Sequence, residues 1–173
     1  MNKILVAIML VAISVGLRAE PYSMEVNIGK QLASVDAAKF SPSAAEMRFA
    51  WYLQPKVALE LYAGGGLNSD EDLDIEYRVK YSAGFGLRLE SPRRNDTRAF
   101  AQLGYGVNEF ELERSNNGQP VTDEFDGVTY GGGIEITPFR DKRLGLNVSF
   151  RRYYGDNGME LDVGSLGFRV VFE

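Results

Sequence analysis

The sequence predicts an all-β chain in which eight antiparallel strands run up and down and close into a transmembrane β-barrel. Its organising stretch is Ile75 to Glu90, IEYRVKYSAGFGLRLE. At a period of two, Ile75, Tyr77, Val79, Tyr81, Ala83, Phe85, Leu87 and Leu89 fall on one face, and Glu76, Arg78, Lys80, Ser82, Gly84, Gly86, Arg88 and Glu90 on the other. Such alternation belongs to a strand, because at helical period the same charges would scatter around the cylinder. The run is too long for an ordinary strand of about 5 to 6 residues, and suits a tilted strand crossing a bilayer, which needs about 9 to 11. Similar segments recur along the chain, joined by connections that alternate between long and tight.

Composition does not argue against this. The chain has 173 residues, enough for one domain, with 45% hydrophobic content and a mean hydropathy of -0.20. A barrel dilutes its apolar outer face with a polar lumen and polar loops. Cysteine is absent, which fits a secreted chain held together without disulfides. At the N-terminus, Lys3 supplies a positive charge, Ile4 to Val15 is apolar apart from Ser14, and polar composition begins at Glu20. Residues 1–19 therefore read as a secretory signal peptide cut after Ala19, with Gly16 a second candidate, and residues 20–173 as a single barrel domain. No second hydrophobic run of helical length follows, so a mature chain that enters a membrane does so as strands. Losing the signal removes Lys3 and Arg18, leaving 17 basic residues against 24 acidic ones, a net of -7 that excludes a nucleic-acid partner.

The elements follow in order. The first strand sets Tyr22, Met24, Val26 and Ile28 against Ser23, Glu25, Asn27 and Gly29, and the mixed stretch from Lys30 to Pro42 reads as a first long loop. The second sets Ala45, Met47, Phe49, Trp51 and Leu53 against Ala44, Glu46, Arg48, Ala50 and Tyr52, ending at Gln54-Pro55, where proline cannot donate to a ladder. The third carries Val57, Leu59, Leu61, Ala63 and Leu67 opposite Ala58, Glu60, Tyr62 and Gly64. Acidic Asn68 to Asp74 is a second loop, before the fourth strand, Ile75 to Glu90. After the turn Ser91 to Asp96, the fifth strand opposes Ala99, Ala101, Leu103, Tyr105 and Val107 to Arg98, Phe100, Gln102, Gly104, Gly106 and Asn108, with Phe100 discordant. A third loop spans Glu113 to Glu124. The sixth strand (Val128, Tyr130, Ile134 and Ile136 outward) ends at Pro138, and the seventh sets Leu144, Leu146, Val148 and Phe150 against Gly145, Asn147, Ser149, Arg151 and Tyr153. Beyond the turn Gly155 to Gly158, the eighth opposes Leu166, Phe168, Val170 and Phe172 to Val163, Ser165, Gly167, Arg169 and Val171.

The apolar faces are expected to meet lipid, and the charged faces a narrow lumen where glycines leave room for long side chains. A soluble lipocalin-like barrel would reverse the faces and line a ligand cavity with the apolar ones. Glycine-alternating FAQLGYGV (Phe100 to Val107) and VTYGGGIEITP (Val128 to Pro138), together with LNVSFRRYY (Leu146 to Tyr154) and terminal LGFRVVF (Leu166 to Phe172), resemble the eight-stranded OmpA-like and OmpX-like outer-membrane barrel proteins across essentially the whole mature chain. The resemblance implies an outer-membrane location in a Gram-negative bacterium. It also implies that Phe168, Val170 and Phe172 form the C-terminal signal read by the barrel assembly machinery, although here Glu173 follows the last aromatic.

Three groups could carry chemistry. The inward charges Glu46, Arg48, Glu60, Glu76, Arg78, Lys80, Arg88, Glu90, Arg98, Glu135, Arg151 and Arg169 are expected to form a salt-bridge network filling the lumen, since buried charges must be paired. Asp70, Asp72 and Asp74 have the D-x-D-x-D spacing of a calcium loop, but its sixth position is Ile75 rather than glycine and its twelfth Tyr81 rather than glutamate. They read instead as a solvated acidic rim with Glu109, Glu111, Glu113, Asp123, Glu124, Asp156, Glu160 and Asp162. Trp51, Tyr77, Tyr81, Phe85, Tyr105, Tyr130, Phe150, Phe168 and Phe172 are expected to anchor the barrel at the lipid interfaces. With no histidine in the chain, a Ser-His-Asp triad or a histidine-ligated metal is impossible. The expectation is a monomeric, non-enzymatic barrel without cofactor or metal, partnered by outer-membrane lipid and lipopolysaccharide. It would serve envelope integrity or surface interaction through acidic extracellular loops. The competing readings are a small ion-conducting pore and a periplasmic lipocalin-like carrier of apolar ligands.

Overall fold

In a computed structural model the described residues are 21–35, 38–114, 119–141, 143–154 and 160–172. The signal segment and the turn Gly155 to Gly158 lie outside them. The strands are β1 (Tyr22–Val35), β2 (Ala38–Phe40), β3 (Ser43–Gln54), β4 (Val57–Gly66), β5 (Ser69–Asp72), β6 (Ile75–Glu90), β7 (Thr97–Arg114), β8 (Val121–Ile136), β9 (Leu144–Tyr154) and β10 (Glu160–Phe172). Eight of these make the wall, each antiparallel to the next in the order β1, β3, β4, β6, β7, β8, β9, β10, and β10 returns to pair with β1. Closure begins at the chain ends, where Tyr22 lies opposite Phe172 and their rings stack with centroids 4.8 Å apart. Short β2 and β5 are additions on one rim, paired with β1 and β6 respectively.

The outer face settles the solvent. Around the barrel Ile28, Leu103, Val148 and Leu166 are each about 60% exposed, and Met24, Leu61, Leu87, Tyr130, Ile134 and Phe168 join them. A continuous apolar girdle of this kind is not tolerated by a soluble monomer and is the surface a bilayer solvates. The carrier reading, with apolar faces lining a cavity and charges outside, is thereby overturned for the membrane-spanning part. The end of the wall that carries Tyr22 and Phe172 holds the connections of residues 55–56, 91–96 and 137–143, and in barrels of this kind it faces the periplasm.

The wall stands higher than the sequence suggests. The segment expected to be a first loop contains the end of β1 and all of β2, the acidic second loop contains β5, and the third shrinks because β7 runs to Arg114 and β8 starts at Val121. Above the lipid band the environment inverts, since water replaces hydrocarbon outside. β7 follows this by changing residue type along one face: outward Leu103, Tyr105 and Val107 give way to Glu109 and Glu111, while inward Gln102 gives way to Phe110. β6 keeps a single alternation throughout and must shift phase by geometry. Its register slips between Val79, opposite Phe110, and Tyr81, opposite Glu109, so Lys80 is an extra residue in a one-residue bulge. Below the bulge the faces are as expected; above it Tyr77 and Val79 point inward and are buried.

Candidate functional site: the lumen and the extracellular rim

The lumen has two tiers of opposite chemistry. The tier nearer the chain termini is charged, and all eight wall strands supply it: Glu25 from β1, Glu46 and Arg48 from β3, Glu60 from β4, Arg88 and Glu90 from β6, Arg98 from β7, Glu135 from β8, Arg151 from β9 and Arg169 from β10. Alternating charges close into a ring. Arg48 bonds Glu25 at 3.3 Å, Glu25 bonds Arg88 at 3.2 Å, Arg88 bonds Glu60 at 3.3 Å, Glu60 meets Arg151 at 3.5 Å, Arg151 bonds Glu46 at 2.8 Å, and Glu46 returns to Arg48. Arg88 also belongs to a second group, reaching Glu90 at 2.9 Å and Glu135 at 3.6 Å, carboxylates that are shared with Arg98 and Arg169. Five arginines face five glutamates, so the tier is balanced, as burial requires.

Neutral groups complete it. Gln102 donates to both Glu60 oxygens at 2.8 Å, and the Tyr52 hydroxyl donates to Glu90 at 2.6 Å while accepting from Arg169. Arg93, from the turn between β6 and β7, reaches up to Glu135 at 2.9 Å and covers the periplasmic mouth. Two inward aromatic rings are clamped between glycine backbone and a guanidinium. Phe100 carries Arg88 at 3.8 Å and rests on Gly133; Tyr62 carries Arg151 at 3.7 Å and lies over Gly84 and Gly106. The glycines thus make room for rings as well as for charged chains.

The upper tier is an apolar core. Phe40, Tyr77, Val79, Phe110, Phe125, Tyr153 and Leu161 pack together, with Phe40, Tyr77 and Phe110 stacked in sequence at 5.1 and 5.3 Å. Gln31 donates to the Tyr77 hydroxyl at 3.1 Å.

Nine of the twelve expected lumen charges meet in the charged tier. Glu76, Arg78 and Lys80 do not: they lie above the bulge on the outer wall, where Arg78 bonds Glu76 at 3.0 Å and Lys80 bonds Glu111 at 2.5 Å. Hydrogen bonds from Ser69 and Arg78 hold the Glu76 carboxyl below the usual range. Tyr77 is likewise not an interfacial anchor but core. The lumen members missing from the expected set are Glu25, Tyr52, Phe100, Gln102 and Arg93; the first four share the inward parity of their strands, whereas Arg93 sits in a turn and carries no periodic signal. Phe168 and Phe172 face outward at the end of β10, Phe168 edge-on to Phe139 at 6.3 Å.

The acidic rim is built into the wall. Asn68, Asp70 and Asp72 accept the backbone N–H groups of Ser43, Ser41 and Lys39 at 2.6, 2.5 and 2.8 Å, so alternate side chains zip the β5 side of the rim to β2. The D-x-D spacing serves this ladder, and among the described residues no cluster of acidic side chains has the form of a metal site. On the outer wall, Tyr81 donates to Glu124 at 3.3 Å and Tyr105 donates to Asp126, placing hydroxyls where the lipid band meets the acidic surface.

This architecture is that of a closed eight-stranded antiparallel β-barrel with an apolar outer girdle and a filled lumen. No family model and no curated relative matches the sequence. Among solved structures, the chain is similar to Ail, the attachment invasion locus protein of Yersinia pestis, with a TM-score of 0.64 at 16% identity, covering 88% of this chain and 99% of that one. It is similar to Neisserial surface protein A, with a TM-score of 0.67 at 11% identity over 87% and 97%. The N-terminal barrel domain of Pseudomonas aeruginosa OprF gives 0.62 at 12% identity over 87% and 97%. The likeness lies in the fold, and the apolar girdle is the surface by which such a barrel meets lipid.

Proposed function

We propose that this protein is a non-enzymatic barrel with a closed lumen, serving envelope integrity or surface interaction through its acidic extracellular rim. The observation that carries this reading is the two-tier interior. Ions entering from the periplasmic side meet a charge-balanced ring fed by every wall strand, and ions entering from outside meet packed aromatic rings. Breaking a buried charge pair for each passage costs about 3 to 5 kcal/mol, and the apolar tier adds a dewetted barrier. Planar-bilayer recording tests it: the purified barrel gives no steady openings, whereas ion-selective openings altered by neutralising Glu60 or Arg88 would establish the pore instead.

Above the lipid band the outer wall suits polyvalent cations or cationic segments. Ail was solved with the heparin analogue sucrose octasulfate; Glu109, Glu124 and Asp126 here have the wrong sign for such a polyanion. Lipopolysaccharide phosphates would therefore be reached through divalent cations, and binding that is insensitive to magnesium and salt would discard this contact. Phe168, Val170 and Phe172 would present the last strand to the barrel assembly machinery, and the closed ring of strands leaves a monomer as the functional unit.

A further inference from the structure

Between the charged tier and the apolar tier lies a chamber of about 20 Å³. Asn27, Gln31, Ser82, Asn108 and Ser165 line it, with Tyr153 above and the Glu46–Arg48 pair below. Asn108 is fully buried, and neither atom of its side-chain amide has a hydrogen-bond partner; Asn27 Oδ1 has none either, while its Nδ2 donates to Glu25 at 2.9 Å. Buried amides are ordinarily satisfied, and a buried asparagine with no partner at all is retained only where something else answers it. The volume decides what can. One water needs roughly 10 to 15 Å³ of such space, so the chamber admits one water and excludes any organic ligand. Charge decides against a cation. The nearest carboxylate, Glu46, is already held by Arg48 and Arg151, and an added positive charge would be uncompensated.

We propose that this chamber is a built site for an ordered water molecule, held by the Asn108 amide, Asn27 Oδ1 and the Ser82 hydroxyl. The site joins the two tiers through hydrogen bonds. It goes beyond the closed-lumen reading and fails separately from it, since that reading falls on conductance and this one on an empty or ion-filled chamber.

The test is water-to-protein magnetisation transfer in the ¹⁵N-labelled barrel folded in lipid nanodiscs. Cross-peaks from water to the Asn108 side-chain amide are expected, with opposite signs in the laboratory-frame and rotating-frame experiments, as a long-lived water gives. Ser82→Ala, which removes one hydroxyl without adding bulk, weakens them at least twofold, and Asn108→Leu removes the site. Absent cross-peaks in the unaltered protein, or cross-peaks undiminished in Ser82→Ala, overturn the proposal. A shift of the Asn108 amide signals on replacing sodium with choline also overturns it, by showing an ion in the chamber.

Discussion

The guanidinium of Arg88 lies 3.8 Å above the centre of the Phe100 ring, and that ring also lies close to the backbone of β8, where a Cβ on Gly133 would stand 2.7 Å from Phe100 Cζ. Arg88 is the shared member of both charge groups, so Phe100 is the floor on which the network is assembled. Phe100→Ala removes the floor and leaves a cavity, an expected loss of about 3 to 5 kcal/mol. Phe100→Leu keeps most of the apolar volume and loses the cation–π contact, about 1 to 2 kcal/mol in a desolvated site. Gly133→Val drives two methyl groups into the ring and should leave little of the compact form. Urea titration of the barrel in detergent, read by the migration of unheated samples on a gel, separates the three.

The ladder between β5 and β2 makes a local prediction. Each bond from Asn68, Asp70 or Asp72 to a backbone N–H of residues 43, 41 or 39 contributes about 1 kcal/mol to holding the β1–β2 hairpin against the wall. Asp70→Ala and Asp72→Ala should speed hydrogen exchange at the Ser41 and Lys39 amides about five- to tenfold each, while Asp72→Asn, which keeps an acceptor oxygen, should change Lys39 far less. Unchanged exchange in the alanine variants would show that the hairpin is held by other contacts.

The strands and their faces were legible because lipid and a narrow polar lumen impose opposite demands on successive residues. β3, β9 and β10 obey that rule along their membrane-crossing length, and the charges they send inward could be named from parity alone. Even the misfit in β7 was informative, since Phe100 is inward for the sake of Arg88. The upper wall was not legible, for a physical reason. Once a strand leaves the bilayer its outward side chains become polar and its inward ones apolar, and an acidic strand such as Ser69–Asp72 then looks like a loop. β7 announces the change by its residue types at Asn108 to Phe110. β6 hides it, because an unbroken alternation of sixteen residues contains no mark of the bulge at Lys80. Arg93 was invisible for another reason: a turn residue reaching into the lumen belongs to no period.

The periplasmic turn between β8 and β9 predicts a pH effect. Side-chain hydrogen bonds from Arg143 to Asp141, at 2.7 to 3.2 Å, and then the Arg143 backbone N–H at 3.0 Å, lower the Asp141 pKa to about 2. The ordinary value is about 3.9. The folded-state pKa is depressed, so the contact contributes fully above the ordinary value and is lost as the pH falls from about 4 through about 2. Carboxyl carbon shifts of Asp141 should titrate near 2 in the intact barrel and move up toward 4 in Arg143→Gln. Because the pair is exposed, overall stability should hardly change; a midpoint near 4 without any substitution would refute the pairing.

The bulge itself can be read by chemistry, since the chain has no cysteine and any introduced thiol is unique. On an unbulged β6, positions 78 and 80 would share the lumen face with Arg88, and position 77 would meet the exterior. With Lys80 as the extra residue the assignment reverses: Arg78 is exposed and paired to Glu76 on the outer wall, while Tyr77 is fully buried beneath Gln31 and between Phe40 and Phe110. Arg78→Cys and Lys80→Cys should therefore react within minutes with a membrane-impermeant maleimide added to intact cells, and Tyr77→Cys should react at least tenfold more slowly. Arg88→Cys, on the inward face below the bulge, serves as the unreactive reference. Deleting Lys80 should remove the bulge and leave the other side chains on the faces they have now, because Val79 and Tyr81 already lie opposite consecutive residues of β7, Phe110 and Glu109. In that variant Arg78→Cys should stay reactive and Tyr77→Cys slow, and the upper wall should keep its protection from protease. Equal labelling at 77 and 78 in the full-length strand would remove the bulge and, with it, the inversion of faces above the lipid band.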